Sequence, residues 1–426
     1  MRATLGRGGK GMLRNPDNRA PRSASTWVEI DLGAVARNVV ALRWALPSGC
    51  RLVAVVKSDG YGHGMVRVAR TALQAGAQEL AVATVDEGAA LRESGVTAPI
   101  LVAGPIAPEQ AALIVQHGLV PSLGCHEVAA ALARATRRFL PVQIEVDTGM
   151  ARHGVPAGDL GSFVHSVQDR GKLSIAGVFT HFAGVGADDL PAMRRQLAVF
   201  LDAVDGVRAL RGVRRHACNT LGALLMPDAC LDAVRIGGGL YGFDPLAGAG
   251  KVVLQPALTL KTMIVGLRHA QVGEAVGYGG EFVCQRPTRL ALLPTGYGDG
   301  LSRELWRGAE VLIRGRRAPI VGAVSMNQIV VDVTELPELV FGEQVVLLGA
   351  MGSEEVTADE RVPRGGSAYQ VTTLLSPRLP RRFLSPRDEA AAPGARPGHG
   401  QVGRPMVIPA NPPATDRLEP APRPAQ

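Results

Sequence analysis

Residues 52–64 read Leu-Val-Ala-Val-Val-Lys-Ser-Asp-Gly-Tyr-Gly-His-Gly, an apolar run followed at once by a lysine and a glycine-rich loop. An apolar run without alternation is typical of a parallel strand that is covered on both faces. Similar runs recur along the chain, and helical patterns such as Met65–Ala75 and Glu127–Ala135 lie between them. The eight runs are Leu52–Val56, Ala81–Val85, Pro99–Gly104, Leu119–Gly124, Val142–Asp147, Ile175–His181, Val213–Cys218 and Ala233–Gly237.

This alternation predicts an α/β fold, a (β/α)8 barrel, rather than an open doubly wound sheet. No Gly-x-Gly-x-x-Gly motif follows the first run, which weakens the dinucleotide-binding alternative. From about residue 250 the chain becomes rich in Val, Ile and Leu with Gly, Pro and Asn between, which predicts a domain of β-hairpins. Its strand-like segments are Thr288–Leu293, Glu310–Ile313, Pro319–Val324, Gln328–Val333 and Gln344–Leu348.

The predicted domain boundaries follow from these changes in composition. Residues 25–249 form the barrel and residues 250–385 the C-terminal β domain, with which the strand-like segment Trp27–Asp31 is expected to pair. Residues 1–24 and 386–426 are rich in Gly, Pro, Ala and Arg, so we expect disordered tails there. A hydrophobic content of 46% excludes a mainly disordered or fibrous chain.

The net charge of +8 resides mostly in the tails. Residues 1–25 carry six basic and one acidic side chain, whereas the body between the tails carries 35 basic and 33 acidic ones. A nearly balanced body lacks the basic surface that a nucleic-acid-binding protein presents. We therefore predict no nucleic-acid partner.

The cysteines and the hydropathy indicate a cytoplasmic location. The five cysteines show no metal-binding or disulfide spacing, so no metal site is predicted and reduced thiols are expected. No apolar run approaches the roughly 20 residues that span a bilayer, and the basic N-terminus lacks the apolar stretch of a secretory signal. We predict no membrane partner.

Lys57 is the first candidate catalytic residue. It directly follows an apolar strand, where a barrel places its active-site mouth. Partial desolvation there lowers a lysine pKa and makes the amine a candidate Schiff-base nucleophile. A lysine that faces solvent at the strand end is the alternative, and the Gly/Tyr/His loop that follows favours the catalytic role.

With this lysine and loop, the chain resembles the alanine racemase family, which joins a pyridoxal-phosphate (PLP) barrel to a β domain. Residues 55–64 are similar to the family's cofactor-attachment segment and differ at Ser58 and Gly60, where alanine is usual. The resemblance extends over about residues 25–384 with the motifs in order. It implies that Lys57 binds PLP covalently and that Tyr61 places a hydroxyl near the phosphate.

The resemblance assigns further cofactor contacts to later strand ends. His181 is placed against the ring, and Arg235, held by His216, is placed at the pyridine nitrogen. The implied phosphate contacts are Thr220, Gly237, Gly238 and Tyr369. Because arginine has a pKa above about 12, it does not protonate that nitrogen, and the cofactor ring is a weaker electron sink than a pyridinium. A weaker electron sink favours racemisation over decarboxylation or transamination.

Racemisation needs an acid/base group on each face of Cα, because one lysine reaches only one face. The resemblance assigns the second base to Tyr297, in Pro-Thr-Gly-Tyr-Gly-Asp-Gly, and substrate contacts to Arg152 and to the Met326 backbone. A guanidinium suits a substrate carboxylate because it donates two parallel hydrogen bonds. In the family, the Tyr297 and Met326 segments come from the neighbouring subunit of a homodimer with shared active sites.

Four positions depart from the family pattern. Glu145 stands where a lysine, carbamylated in some members, is common, and it could orient Arg152 without modification. Asn327 replaces an aspartate and Gln370 a glutamate. Pro363 interrupts a stretch that is normally helical. We expect the cofactor site to be intact and the substrate range to be open.

The sequence therefore predicts a PLP-dependent alanine racemase that supplies D-alanine for peptidoglycan. Two alternatives remain open: an amino-acid racemase of broader specificity, and a non-catalytic PLP-binding protein. The β domain with Tyr297 argues against the second, because a PLP carrier needs no second base.

Overall fold

A computed structural model describes residues 24–246, 248, 250, 252–363 and 366–384 of the chain. Apart from Ala24, the two tails that were predicted to be disordered lie outside these residues. No helix among the described residues is long and apolar enough to cross a membrane.

Eight parallel strands in the described part of the chain close into a barrel, in which strands adjacent in sequence are adjacent in space. The last strand pairs with the first, and this closing register sets Ile236 beside Ala54. The barrel strands are Arg51–Val55, Glu79–Val82, Ile100–Val102, Val120–Leu123, Leu140–Asp147, Leu173–Phe179, Arg214–His216 and Ala233–Ile236. A short strand, Val155–Pro156, is added beside Leu140–Asp147.

The predicted barrel is confirmed, and each of the eight apolar runs overlaps one of its strands. The second strand ends at Val82, three residues before the predicted end. It ends there because Thr84 caps the following helix: its hydroxyl accepts from the Glu87 N–H at 3.2 Å, and the Glu87 carboxylate accepts from the Thr84 N–H. Such a reciprocal pair marks a helix start.

Helices separate the strands and bury one face each against the barrel. In the helix Met65–Gln74, the buried residues are Met65, Val68, Ala69 and Ala72, spaced as one side of a helix requires. The barrel helices are Leu32–Ala45, Met65–Gln74, Val85–Glu93, Ala111–His117, His126–Ala135, Leu160–Asp169, Leu190–Asp205 and Thr220–Leu225, and the helix Ala368–Thr373 belongs to the β domain.

The residues after the barrel form a mostly antiparallel sheet together with the N-terminal strand. Its strands are Thr26–Asp31, Leu258–Met263, Gly266–Ala270, Thr288–Leu293, Glu310–Ile313, Arg316–Val321, Ile329–Asp332, Gln344–Met351, Glu354–Val356 and Arg381–Leu384. The strand predicted at Pro319–Val324 lies three residues earlier, because Gly322, with φ of 72°, ends it in a left-handed turn.

The N-terminal strand Thr26–Asp31 connects the sheet to the barrel. It pairs antiparallel with Leu258–Met263 and parallel with Arg381–Leu384. Asp31 then caps the first barrel helix by accepting from the Ala34 N–H at 2.9 Å. The two ends of the described chain therefore meet in one sheet, next to the start of the barrel.

Candidate active site

The carboxyl ends of the barrel strands open onto a cavity of about 800 Å³. Lys57 enters it from the end of the first strand. Most of the residues that the sequence assigned to the site line the same cavity: Lys57, Tyr61, Arg152, His181, Thr220, Arg235, Gly237, Gly238 and Tyr369. Barrel closure thus brings Lys57 close to Gly237 and Gly238 at the end of the last strand, and the helix Ala368–Thr373, which lies outside the barrel, adds Tyr369.

A left-handed turn follows Lys57. Ser58, Asp59, Gly60 and Tyr61 have φ values between 51° and 62°, so four consecutive residues adopt the left-handed conformation. Each of the three non-glycine residues is strained by about 1–2 kcal/mol in this conformation. Strain of this kind persists only where surrounding contacts determine the backbone, and it is concentrated at functional sites.

Hydrogen bonds from several directions hold this turn. The Gly62 N–H donates to the Ser58 carbonyl at 3.0 Å, and the Asp59 carboxylate accepts from the Met65 N–H at 2.9 Å. The Ser58 N–H donates to Glu87 Oε1 at 2.5 Å. The turn therefore fixes Lys57 at its start and Tyr61 at its end.

The pKa of Lys57 is lowered from its ordinary value of 10.5, first by burial and then by the charge of Arg152. The Glu87 carboxylate acts in the opposite direction. A lowered pKa increases the fraction of neutral amine, the nucleophilic form. The sequence-based expectation about this lysine therefore agrees with its surroundings.

Arg235, His216 and Gln143 form a buried hydrogen-bonded chain. Gln143 Oε1 lies 2.7 Å from His216 Nε2, and Arg235 Nη1 lies 2.7 Å from His216 Nδ1. Since the amide oxygen can only accept and the guanidinium can only donate, His216 carries its proton on Nε2 and is neutral. Burial, together with the charge of Arg235, holds its pKa well below 6.5.

Arg235 is held rigidly by further acceptors. Its Nη2 donates to the Thr180 carbonyl at 2.7 Å and to the Ala217 carbonyl at 3.1 Å. It also lies 3.1 Å from His181 Nδ1. Burial lowers the pKa of Arg235 to about 10, so the guanidinium stays charged at neutral pH. Burial and this charge lower the pKa of His181 to about 3, so His181 is neutral.

Two glycines and two tyrosines form a narrow cradle at one end of the cavity. A Cβ on Gly237 would lie 2.5 Å from the Tyr61 hydroxyl, and a Cβ on Gly238 would lie 2.6 Å from the Tyr369 ring. Only glycine fits these positions, which lets the backbone lie close to both tyrosine rings. The Thr220 hydroxyl accepts from the Gly237 N–H at 3.3 Å.

These residues fit a phosphorylated pyridine aldehyde. The cradle offers N–H and O–H donors to a phosphate, Lys57 offers an amine to the aldehyde, and Arg235 offers a fixed donor. Among the described residues that line the cavity, Lys57, Arg152 and Arg235 carry basic side chains and Glu145 carries the one carboxylate. The excess positive charge suits a phosphate and a substrate carboxylate.

The loop that carries Arg152 is organised by Asp147. The Asp147 carboxylate accepts from the N–H groups of Gly149, Met150 and Ala151 at 2.9–3.2 Å. Arg152 itself is exposed at the cavity wall, where a substrate carboxylate can reach it.

The expected pairing of Glu145 with Arg152 is wrong. The buried Glu145 carboxylate instead pairs with His153 Nδ1 at 2.8 Å. A buried carboxylate takes the nearest donor that its neighbours leave accessible, and the loop directs Arg152 outward. His153, which the sequence analysis did not consider, also lines the cavity. Its position next to Arg152 was the only signal in the sequence.

Two predicted residues lie elsewhere in the described chain. Tyr297 lines a second cavity, of about 440 Å³, within the β domain, and neither Tyr297 nor Met326 is among the described residues that line the barrel cavity. The Tyr297 N–H donates to the Ser325 carbonyl at 3.0 Å, so the two predicted segments are neighbours.

The β domain exposes a second tyrosine that the sequence analysis missed. Tyr278 is 70% exposed, compared with 43% for Tyr297. Its neighbour Gly277 abuts the backbone of Ala323, so Tyr278 lies beside the segment that leads to Met326. Its Gly-Tyr-Gly-Gly context was the available signal. Three segments that could serve another subunit's site are therefore adjacent on one domain.

The buried histidines predict a loss of stability on acidification. Burial lowers the pKa of His63 to about 4 and that of His181 to about 3, and it lowers the pKa of His216 well below 6.5. In the unfolded chain all three titrate near 6.5, so below that pH the unfolded state binds protons that the folded state does not. Their contribution is complete above pH 6.5 and decreases as the pH falls toward 4. From pH 6.5 to 5 we expect a loss of roughly 5 kcal/mol for the three together.

Urea unfolding at several pH values, followed by circular dichroism, measures this dependence. His63→Gln should flatten the decline by about a third, because one of the three proton-linked groups is gone. His165→Gln is the matched control, since His165 is exposed and its removal should leave the slope unchanged. A free energy of unfolding that stays constant from pH 7 to pH 5 would contradict the prediction.

The sequence matches two family models that divide the chain. The model of the alanine racemase N-terminal domain matches residues 30–245, and that of the alanine racemase C-terminal domain matches residues 257–383. Together they include every site residue described above.

Individual proteins agree with this match. An alanine racemase from Symbiobacterium thermophilum is 41% identical over 366 residues, which is 84% of this chain and 97% of the relative. The crystal structure of alanine racemase from Bacillus anthracis with bound L-Ala-P is similar with a TM-score of 0.80 and 32% identity, covering 86% of this chain and 97% of that one. A histidine racemase from Leuconostoc mesenteroides has a TM-score of 0.78 and 27% identity, covering 87% and 100%.

Proposed function

The chain belongs to the alanine racemase family, and on this premise we propose that it interconverts L- and D-alanine with PLP as cofactor. The observation that carries the proposal is the cavity in which Lys57, Arg235 and Arg152 converge beside the glycine–tyrosine cradle. An amine, a fixed charged donor and a carboxylate-binding cation are what an amino-acid racemase of this type requires.

In this proposal the cofactor is held by residues at three places. The backbone of Gly237 and Gly238 and the hydroxyls of Tyr61, Thr220 and Tyr369 bind the phosphate. His181 packs against the ring, and Lys57 is the point of covalent attachment. When bound, PLP supplies an electron sink that acidifies the Cα–H bond of an attached amino acid.

The protein's own groups then decide the reaction. Arg152 binds the substrate carboxylate and so orients Cα. Lys57 accepts or donates a proton at Nζ on one face of Cα, and its lowered pKa suits both directions. Arg235 is assigned to the ring nitrogen, where its charged guanidinium donates a hydrogen bond and keeps its proton. With this donor at the ring nitrogen, the cofactor would withdraw electrons less strongly, which favours return of the proton to Cα.

The base for the opposite face of Cα is not assigned to any of the described residues that line the cavity. The only tyrosines among the described lining residues of the cavity are those assigned to the phosphate, Tyr61 and Tyr369. We propose that a second copy of the chain supplies the missing hydroxyl from its β domain, in a homodimer with shared sites. Tyr297 is the proposed base on its motif, with Met326 beside the substrate; Tyr278 is a second candidate on its greater exposure.

The remaining assignments follow from the same premise. We assign residues 25–249 to the cofactor-binding domain and residues 250–385 to the β domain. We place the enzyme in the cytoplasm, where it supplies D-alanine for peptidoglycan. The tails have no assigned role.

A racemase of broader specificity is the second candidate function. The structural neighbour from Leuconostoc mesenteroides is a histidine racemase. In this chain, the polar pair Glu145–His153 lines the cavity next to Arg152, where it can meet a larger or polar substrate side chain.

Chiral chromatography of products from a panel of L-amino acids tests the proposal. We expect D-alanine to form fastest, with PLP required, and with serine, histidine and arginine converted at least about tenfold more slowly. Comparable rates for histidine and alanine would support the broader racemase. No D-amino acid from any substrate, despite bound PLP, would contradict the proposed activity and support a PLP-binding protein without catalysis.

A further inference from the structure

Glu87 lies at the start of the helix Val85–Glu93, and its carboxylate accepts from three backbone N–H groups. Its Oε2 accepts from Ala83 at 2.9 Å and from Thr84 at 3.2 Å. These two bonds belong to an ordinary helix start. Its Oε1 accepts from Ser58 at 2.5 Å, and Ser58 lies in the preceding strand–helix unit of the barrel, 29 residues earlier.

The third bond reaches the residue that follows Lys57. Ser58 is the first residue of the left-handed turn, with φ of 54° and ψ of 53°. In this conformation its N–H points away from the strand ladder, and Glu87 is the side chain that satisfies it. Because Ser58 follows Lys57 directly, fixing this peptide plane fixes the direction in which the lysine side chain leaves the backbone.

We propose that Glu87 is a positioning residue for Lys57: its carboxylate clamps the strained turn to the next unit of the barrel and so presents the amine for PLP capture. This inference rests on the proposed function of Lys57. It assigns to Glu87 no contact with the cofactor or substrate, and Glu87 is absent from the described lining of the cavity.

The charge of Glu87 supports the same role. Burial and Arg152 both lower the pKa of Lys57, and Glu87 is the group that raises it. Glu87 therefore opposes part of the lowering of the Lys57 pKa. The contact with the backbone and the influence on charge act through the same carboxylate.

The geometry explains why the residue is a glutamate. One oxygen binds the turn and the other binds the helix start, so both are occupied. A glutamine has a single acceptor oxygen and can satisfy only one side. An alanine satisfies neither side and leaves the strained turn without its clamp.

Hydrogen exchange in the cofactor-free protein tests the clamp without relying on catalysis. We compare Glu87→Gln, Glu87→Ala and Thr84→Ala by mass spectrometry of peptides that contain residues 57–64. Thr84→Ala is the matched control, because it removes the cap hydroxyl of the same helix and has no contact with Ser58. Exchange of the turn amides should rise roughly 10- to 100-fold in Glu87→Ala, less in Glu87→Gln, and not in Thr84→Ala.

PLP capture is the second measurement. After addition of PLP to each cofactor-free variant, growth of the visible band of the PLP–lysine adduct gives a rate constant. We expect a decrease of roughly tenfold or more in Glu87→Ala, an intermediate decrease in Glu87→Gln, and the wild-type rate in Thr84→Ala. If Glu87 acted only by stabilising the helix start, PLP capture would be slowed as much in Thr84→Ala as in Glu87→Ala.

The outcomes separate this inference from the proposed function. Unchanged exchange and unchanged PLP capture in Glu87→Ala, with the wild type binding PLP normally, would overturn the positioning role and leave the proposed function intact. Failure of the wild type to bind PLP at all would overturn both. Equal effects in Glu87→Ala and Thr84→Ala would also overturn the positioning role.

Discussion

Lys57→Ala is expected to lower the rate of racemisation by roughly 10⁴-fold or more and to prevent the covalent attachment of PLP. The substitution removes both the amine that holds the cofactor and the base on one face of Cα. Arg152, Arg235 and the glycine–tyrosine cradle remain, so we expect PLP to bind weakly and reversibly. Alanine racemisation and the visible spectrum after gel filtration measure the two losses.

Borohydride provides the residue-level check. Reduction of the PLP-loaded wild type, followed by peptide mass spectrometry, should place the modification on Lys57. Lys172→Ala is the matched control, because Lys172 is exposed and precedes the strand Leu173–Phe179, at the barrel end opposite to the cavity. Modification of a different lysine, or full activity in Lys57→Ala, would refute the assignment.

A mixture of two inactive variants is expected to recover activity. If each site takes Lys57 from one subunit and a tyrosine from its partner, a mixed dimer of Lys57→Ala and Tyr297→Phe has one site with both lesions and one intact site. Refolding equal amounts together makes about half of the dimers mixed, so about a quarter of all sites should be intact. Tyr297→Phe alone should be slower by roughly 10²- to 10⁴-fold, and Lys57→Ala alone by the larger factor given above.

The same experiment with Tyr278→Phe decides between the two tyrosines. The variant that lacks the catalytic base should be inactive by itself and should regain activity when it is refolded with Lys57→Ala. The variant of the other tyrosine should keep most of its activity by itself, and any effect should be confined to KM. If mixed dimers form, as shown by mass-tagged subunits, and activity does not rise for either pair, the shared site is ruled out.

Local sequence patterns were sufficient to predict the barrel. Each parallel strand is buried on both faces and so is apolar along its whole length, and each helix repeats its apolar residues every three or four positions. The strand Leu52–Val56 was displaced by only one residue from the observed Arg51–Val55. The ends of strands were harder to predict where a helix cap follows closely, as Thr84 does after the second barrel strand.

The chemistry of the cavity was also visible in the sequence, because it depends on residue types at strand ends. Lys57 after a strand marks a candidate amine by its position, whereas the phosphate role of Gly237 and Gly238 followed from the family resemblance and not from the glycines alone. Closure of the barrel brings all strand ends to one face, so residues at those ends had to meet.

The tertiary structure alone decided which partner each polar group takes. Glu145 bonds to His153 instead of Arg152, and the Ser58 N–H bonds to Glu87, because hydrogen bonds depend on the orientation of neighbouring loops to within about an ångström. The spacing of apolar residues in the sequence does not define loop positions to that precision. The sequence by itself predicted the strands, the helices and the candidate reacting groups. The packing of adjacent loops determined which hydrogen-bond partner each of those groups takes.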